Sequence, residues 1–200
     1  MEHRTIRIVA VGDERLAGIG DPRALGWFGR VLARTSAEDA RVEAFALPAP
    51  GETVEQLSIR WFEEARRRFG GSDTDNRLVV SLNDRDLDQT QSTARSRLNL
   101  ANILDSASQN NIRVFVVGPT PSSDEERNAA LGELNTAYAD VTTRRNHVYV
   151  DAFNPLVGHE NFRKDLDANG GRLGQTAYGL VAWLVLHRGW YQWLGLPQAD

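Results

Sequence analysis

Apolar positions in this chain fall into short unbroken runs separated by longer stretches with helical spacing. The first run, Ile6 to Val11 within 4–11, is continuous rather than alternating and rich in β-branched residues, the pattern of a strand covered on both faces in a parallel sheet. Over 25–35, Leu25, Phe28, Val31 and Leu32 share one helical face. A second strand is predicted over 41–47 and is stopped by Pro48-Ala49-Pro50-Gly51. Thr53 is placed to cap a helix over 53–69, with Val54, Leu57, Trp61 and Ala65 as its stripe and Gly70-Gly71 as its end. A third strand over 77–82, a helix over 94–109 and a fourth strand over 112–117, halted by Gly118-Pro119, continue the series. Ser123-Asp124-Glu125-Glu126 supplies a cap and first-turn acids for a helix reaching about 144. A fifth strand over 147–151 and a closing helix over 176–193 complete it.

Five strands alternating with helices call for right-handed crossovers and helices on both faces of the sheet. The expected fold is therefore a three-layer α/β/α sandwich around a five-stranded parallel sheet, in one domain over 1–200. Ligands on such sheets bind at the carboxyl ends of the strands, which gathers Asp13, Glu14, Gly51, Asn83, Asp84, Pro119 and the segment after Asp151 on one rim.

Composition narrows the function classes. With 41% hydrophobic residues in 200, the chain can bury one good core and is short for two ordinary domains. A formal net charge of −4 denies it the basic surface of a nucleic-acid binder, so no nucleic-acid partner is expected. The lack of cysteine excludes disulfides, thiolate catalysis and cysteine-ligated zinc. Neither His-x-x-x-His nor His-Glu-x-x-His occurs, and the acid pairs Asp86/Asp88 and Asp165/Asp167 lack the rest of an EF-hand loop, so no metal or other cofactor is expected. The apolar stretch 180–186 is too short to span a bilayer, and Met1-Glu2-His3-Arg4 leads straight into the first strand pattern without a leader segment. The expectation is a cytoplasmic protein with no membrane partner. Lys164 is the only lysine among 23 basic residues, a bias that points to GC-rich, bacterial coding.

Four short motifs occur in a telling order: Gly12-Asp13-Glu14 after the first strand, Gly51 in Pro50-Gly51-Glu52-Thr53, Ser81-Leu82-Asn83-Asp84 after the third, and Asn169-Gly170-Gly171-Arg172 before the closing helix. Together they resemble the blocks of the SGNH (GDSL-type) hydrolases, and the resemblance covers nearly the whole chain. In that family Gly-Asp-Ser carries the nucleophile, a glycine and an asparagine complete the oxyanion hole, and Asp-x-x-His supplies the rest of the triad. Aligned on Tyr178, this sequence has Glu14 for the serine, Asn169 for the aspartate and Arg172 for the histidine, so the resemblance implies a degenerate triad. Gly51 and Asn83 match the two oxyanion donors outside the nucleophile, each worth roughly 2.7–4 kcal/mol toward an oxyanion. Taken singly, Gly51 also fits a loop glycine and Asn83 an Asx turn.

The replacements define the candidate chemistry. A carboxylate such as Glu14 can act as base or nucleophile, whereas the guanidinium of Arg172 stays protonated and only donates. The two are also matched for a bidentate salt bridge across the old site, which would lower the Glu14 pKa and make it a poor base; alternatively a ligand separates them, with Arg172 holding an anionic group while Glu14 takes a proton or holds an ammonium. Asp13, Asp84, Asn169 and His159 are further pocket candidates, His159 as the one histidine between the fifth strand and the closing helix. Asp165 and Asp167 read as members of a solvated acidic loop. The leading expectation is a hydrolase fold repurposed for a small-molecule step of bacterial secondary metabolism, such as elimination, cyclisation or group transfer. The alternatives are a pseudoenzyme that binds a small molecule or serves as a partner subunit, and a residual acyl hydrolase. Aromatic residues at this helical spacing more often pack in a core; the alternative is that Trp190 and Trp193, near the chain end and past the periodic stripe, form a protein-partner surface.

Overall fold

The computed structural model describes residues 4–89 and 92–198; His3, among the histidines of the sequence, lies outside them. Five parallel strands, β1 (Arg4–Gly12), β2 (Ala40–Pro48), β3 (Thr74–Ser81), β4 (Arg113–Val117) and β5 (Val148–Val150), form one sheet in the order β2-β1-β3-β4-β5. Strand order reverses after β2, so the carboxyl ends of β1 and β3, with their following loops, meet at the switch point.

The pleat of β1 explains both layers. Ile6, Ile8 and Ala10 face one core, with Trp27, Phe28 and Val31 of helix α1 (Gly26–Arg34) and Val181 and Val185 of α7 (Gln175–Val185). Val9 and Val11 face the other, with Leu57 and Trp61 of α2 (Val54–Ala65), Leu100 and Leu104 of α3 (Thr93–Gln109) and Leu134 and Tyr138 of α4 (Glu125–Thr143). Burial on both faces is why the strand reads as an unbroken apolar run. Caps fix the helix starts as expected: Thr53 and Gln56 form a capping box at α2, and the Asp124 carboxylate accepts from two first-turn N–H groups of α4.

Two expectations need correction. The segment read as an acidic loop carries two helices, α5 (Asn154–Val157) and α6 (Glu160–Ala168), the latter seated by Phe162 and Leu166. Asp165 is not solvated filler: its carboxylate accepts from the backbone N–H groups of Gly174 at 2.6 Å, Thr176 at 3.3 Å and Ala177 at 3.1 Å, so it caps α7 from a neighbouring helix. The closing helix is also not continuous. After α7 the backbone leaves helical angles at Arg188 and Gly189, then resumes in α8 (Tyr191–Leu194).

That kink turns the aromatic cluster inward. Trp190 is 0% exposed and Trp193 6%, which is the core-packing reading and leaves neither as the alternative partner surface. Trp190 meets Phe115 and Phe28 edge-on and donates through its indole N–H to Thr35 Oγ1 at 3.0 Å. Trp193 lies under the Arg77 guanidinium, which is fully buried, paired with Asp75 at 2.7 Å and also bonded to the Trp193 carbonyl. The exposed aromatic of this region is Trp183, stacked on His187. No helix among the described residues is long and apolar enough to cross a membrane.

Candidate functional site

At the switch point β1 ends in Gly12, where a Cβ would sit 2.8 Å from both the Ser81 Cβ and the Ser81 carbonyl oxygen. Only glycine lets the ends of β1 and β3 come this close, and the closeness carries the Asp13–Gly20 turn over the rim. Asp21 then fixes the far side of that turn, accepting from the N–H groups of Arg23, Leu25 and Gly26 and pairing with Arg30. Above the rim lies a cavity of about 540 Å³ lined by Glu14, Arg15, Ile19, Pro50, Arg85, Gly171, Arg172, Leu173 and Tyr178. The Tyr178 hydroxyl donates to the Ile19 carbonyl at 2.8 Å, joining the first turn to α7 across the cavity wall.

Glu14 and Arg172 face the same cavity, and of the two arrangements considered for them the direct bridge does not form. Glu14 instead accepts from the Gly51 backbone N–H at 2.7 Å and pairs with Arg85 at 2.7 Å. Burial alone would raise the Glu14 pKa; hydrogen bonds from Gly51, from its own backbone and from Arg85, with the Arg85 charge, outweigh it and hold the carboxyl below its ordinary 4.5. Gly51 makes this contact from a turn with φ +71°, a conformation that suits glycine. Arg172 is an exposed residue of the same cavity lining, and among the described residues its side chain has no ion pair or hydrogen bond.

Asn83 is buried, with its amide nitrogen donating to the Glu52 carbonyl at 2.8 Å and its oxygen accepting from the Arg85 N–H at 2.8 Å. It positions Arg85 rather than lining the cavity. Asp84 pairs with Arg15 at 2.5 Å and Arg127 at 2.7 Å; burial opposes its ionisation, but the two guanidinium groups prevail and bring its pKa down to about 2. Asp13 is 0% exposed and accepts from the Arg15 N–H at 3.0 Å through one oxygen, while the other has no hydrogen-bond partner. Burial, only partly offset by Arg15, pushes its pKa up to about 6.

The remaining candidates sit elsewhere. His159 is the N-cap of α6, its Nδ1 accepting from the Phe162 N–H at 3.4 Å, and does not line the cavity. Asn169 closes α6, donating to the Asp165 carbonyl at 2.6 Å, and is likewise absent from the lining. A second cavity of about 280 Å³, between the start of α4 and α6, holds none of the predicted site residues. The residues the sequence reading passed over are Arg15 and Arg85, the partners of Asp84 and Glu14. Each directly follows a singled-out acid, at Asp13-Glu14-Arg15 and Asn83-Asp84-Arg85, and that adjacency was the available signal.

A parallel α/β/α sandwich with a cavity on the loops after β1, β2 and β3 and before the last long helix is the architecture of SGNH hydrolases. The chain belongs to the GDSL-like lipase/acylhydrolase family, whose sequence profile matches residues 10–187. Among solved structures it is similar to a lipase/acylhydrolase from Enterococcus faecalis (TM-score 0.72, 21% identity, 97% of this chain and 98% of that one). It is also similar to a member of the lipolytic G-D-S-L family from Veillonella parvula (0.76, 16%, 90% and 96%) and to a family 3 carbohydrate esterase from Clostridium thermocellum (0.74, 15%, 96% and 98%). At these identities the likeness is one of fold. No curated protein matches the chain significantly in sequence.

Proposed function

We propose that this chain keeps the ligand pocket of its family without serine-hydrolase chemistry and acts as a small-molecule binding protein. The observation that carries the reading is Glu14 at the position after Gly12-Asp13, its carboxylate seated on the Gly51 N–H and paired with Arg85. A donor that would stabilise a developing oxyanion is thereby occupied by an anion of the protein itself. A general base needs a pKa near the working pH and a lone pair free to take a proton. Glu14 has a lowered pKa and both oxygens engaged. Nor does Arg172, in the same cavity lining, replace a histidine base, because its guanidinium cannot give up a proton under working conditions.

A catalytic form of the same site, with Glu14 driving elimination, cyclisation or group transfer, requires Glu14 first to leave both Arg85 and Gly51. The ion pair favours binding over that route. The test is an activated acyl ester together with a fluorophosphonate probe. The reading expects neither turnover nor labelling; stoichiometric labelling of a serine with matching ester turnover refutes it.

A further inference from the structure

The cavity wall is chemically lopsided. Three guanidinium groups line it, from Arg15, Arg85 and Arg172, against one carboxylate, Glu14. Two are ion-paired within the protein, Arg15 with Asp84 at 2.5 Å and Arg85 with Glu14 at 2.7 Å, although Arg15 Nη1 and Arg85 Nε are buried without a hydrogen-bond acceptor. Arg172 has no acceptor among the described residues. Beside it the wall is apolar: Leu173 is buried, the Tyr178 ring is buried, and Ile19 stands 55% exposed although its carbonyl is pinned by the Tyr178 hydroxyl. Pro50 closes the side next to Glu14. A volume of about 540 Å³ lies within the range of small-ligand pockets.

We infer that the ligand is an organic monoanion with an apolar body, a carboxylate on a short or medium hydrocarbon chain, whose charge rests on Arg172 while its body covers Ile19, Leu173 and Tyr178. This inference rests on the binding reading above and supplies its ligand class. One anionic charge suffices, because Asp84 and Glu14 already balance the charges of Arg15 and Arg85; the unpartnered Arg15 Nη1 and Arg85 Nε need an acceptor atom and not a second charge. An ammonium ligand is disfavoured: the carboxylate it would need, Glu14, is neutralised by Arg85 and turned to the Gly51 N–H. A wholly neutral ligand gains no ion pair with Arg172, whose exposed guanidinium then stays with water. The carboxylate group suits Arg172 in particular, since the planar guanidinium fork can donate two parallel hydrogen bonds to it.

The test is isothermal titration calorimetry of the full chain with octanoate, 1-octanol and octylammonium, and of the variants Arg172→Gln and Ile19→Ser with octanoate. Octanoate is expected to bind, with octylammonium showing no heat. Arg172→Gln should weaken octanoate by about tenfold to a hundredfold, the value of a hydrogen-bonded charge. Ile19→Ser should weaken it by a smaller factor, and added salt should weaken it further in the wild type. Both side chains are exposed at the rim, so their variants fold, which thermal melts verify. Equal binding of 1-octanol and octanoate, or unchanged affinity in Arg172→Gln, overturns the anion assignment while leaving the pocket reading intact. Absence of octanoate binding up to about 10 mM also overturns it. Serine labelling with ester turnover, by contrast, overturns the binding reading on which it rests.

Discussion

Asp13 carries a measurable cost of ionisation, and Asp13→Asn should reveal it. The side chain is 0% exposed, and only one of its oxygens accepts a hydrogen bond, from the Arg15 backbone. Burial raises its pKa from 3.8 to about 6. At about 1.4 kcal/mol per pH unit the difference amounts to about 3 kcal/mol. Between the two values the folded chain holds a proton that the unfolded chain has released, so stability falls as pH rises. The favourable contribution is complete below pH 3.8 and is lost as pH passes through 6. An asparagine amide keeps the oxygen that Arg15 uses and places an uncharged group where the unpartnered oxygen stood. Its N–H groups also face the Arg15 Nε, which lies 3.8 Å from that oxygen, so the full amount is an upper bound. Asp13→Asn should therefore stabilise the protein by about 1–3 kcal/mol at pH 7.5 and by about zero near pH 4. Urea denaturation of both proteins at pH 4, 6 and 7.5 measures the difference. A destabilised variant at pH 7.5, or a stability difference that does not change with pH, refutes the argument that burial governs this carboxyl.

Glu14→Ala should vacate the Gly51 N–H and Arg85 for an external anion: formate at about 100 mM raises the variant's unfolding free energy by about 1.4 kcal/mol if its Kd is about 10 mM, and leaves the wild type unmoved, as thermal melts with and without formate will read. Asp165→Ala should cost about 1–2 kcal/mol in urea denaturation, because three N–H groups at the start of α7 lose their acceptor, while octanoate heats of the folded protein stay unchanged.

The layers of the fold were legible because β1, β3 and β4 are buried on both faces and so carry uninterrupted apolar runs that loops do not imitate. Helix α6 was not, because two apolar residues, Phe162 and Leu166, seat it and the rest, apart from Ala168 at its end, is charged or polar. In the site, the sequence pointed to Glu14 and Arg172, which line one cavity, and left open whether they pair; it did not single out Arg85 as the partner of Glu14. The partner, Arg85, lies 71 residues from Glu14, and its reach depends on how Asn83 bends the loop after β3, a matter of tertiary geometry rather than pattern. For Trp190 and Trp193 helical spacing pointed to the core while nearness to the chain end left a partner surface open; the break at Arg188-Gly189 folds them back against Phe115.

The clasp between Arg77 and Trp193 bears on how the chain is made. Arg77 leaves the ribosome 116 residues before the carbonyl that it needs, and until then β3, the middle strand of the sheet, holds a charge destined for complete burial with only Asp75 to answer it. A nascent chain lacking α8 therefore has an ionic fault at the centre of its sheet. The centre of the sheet closes only once Trp193 has been made, and a chain cut short before Trp193 keeps that fault uncorrected.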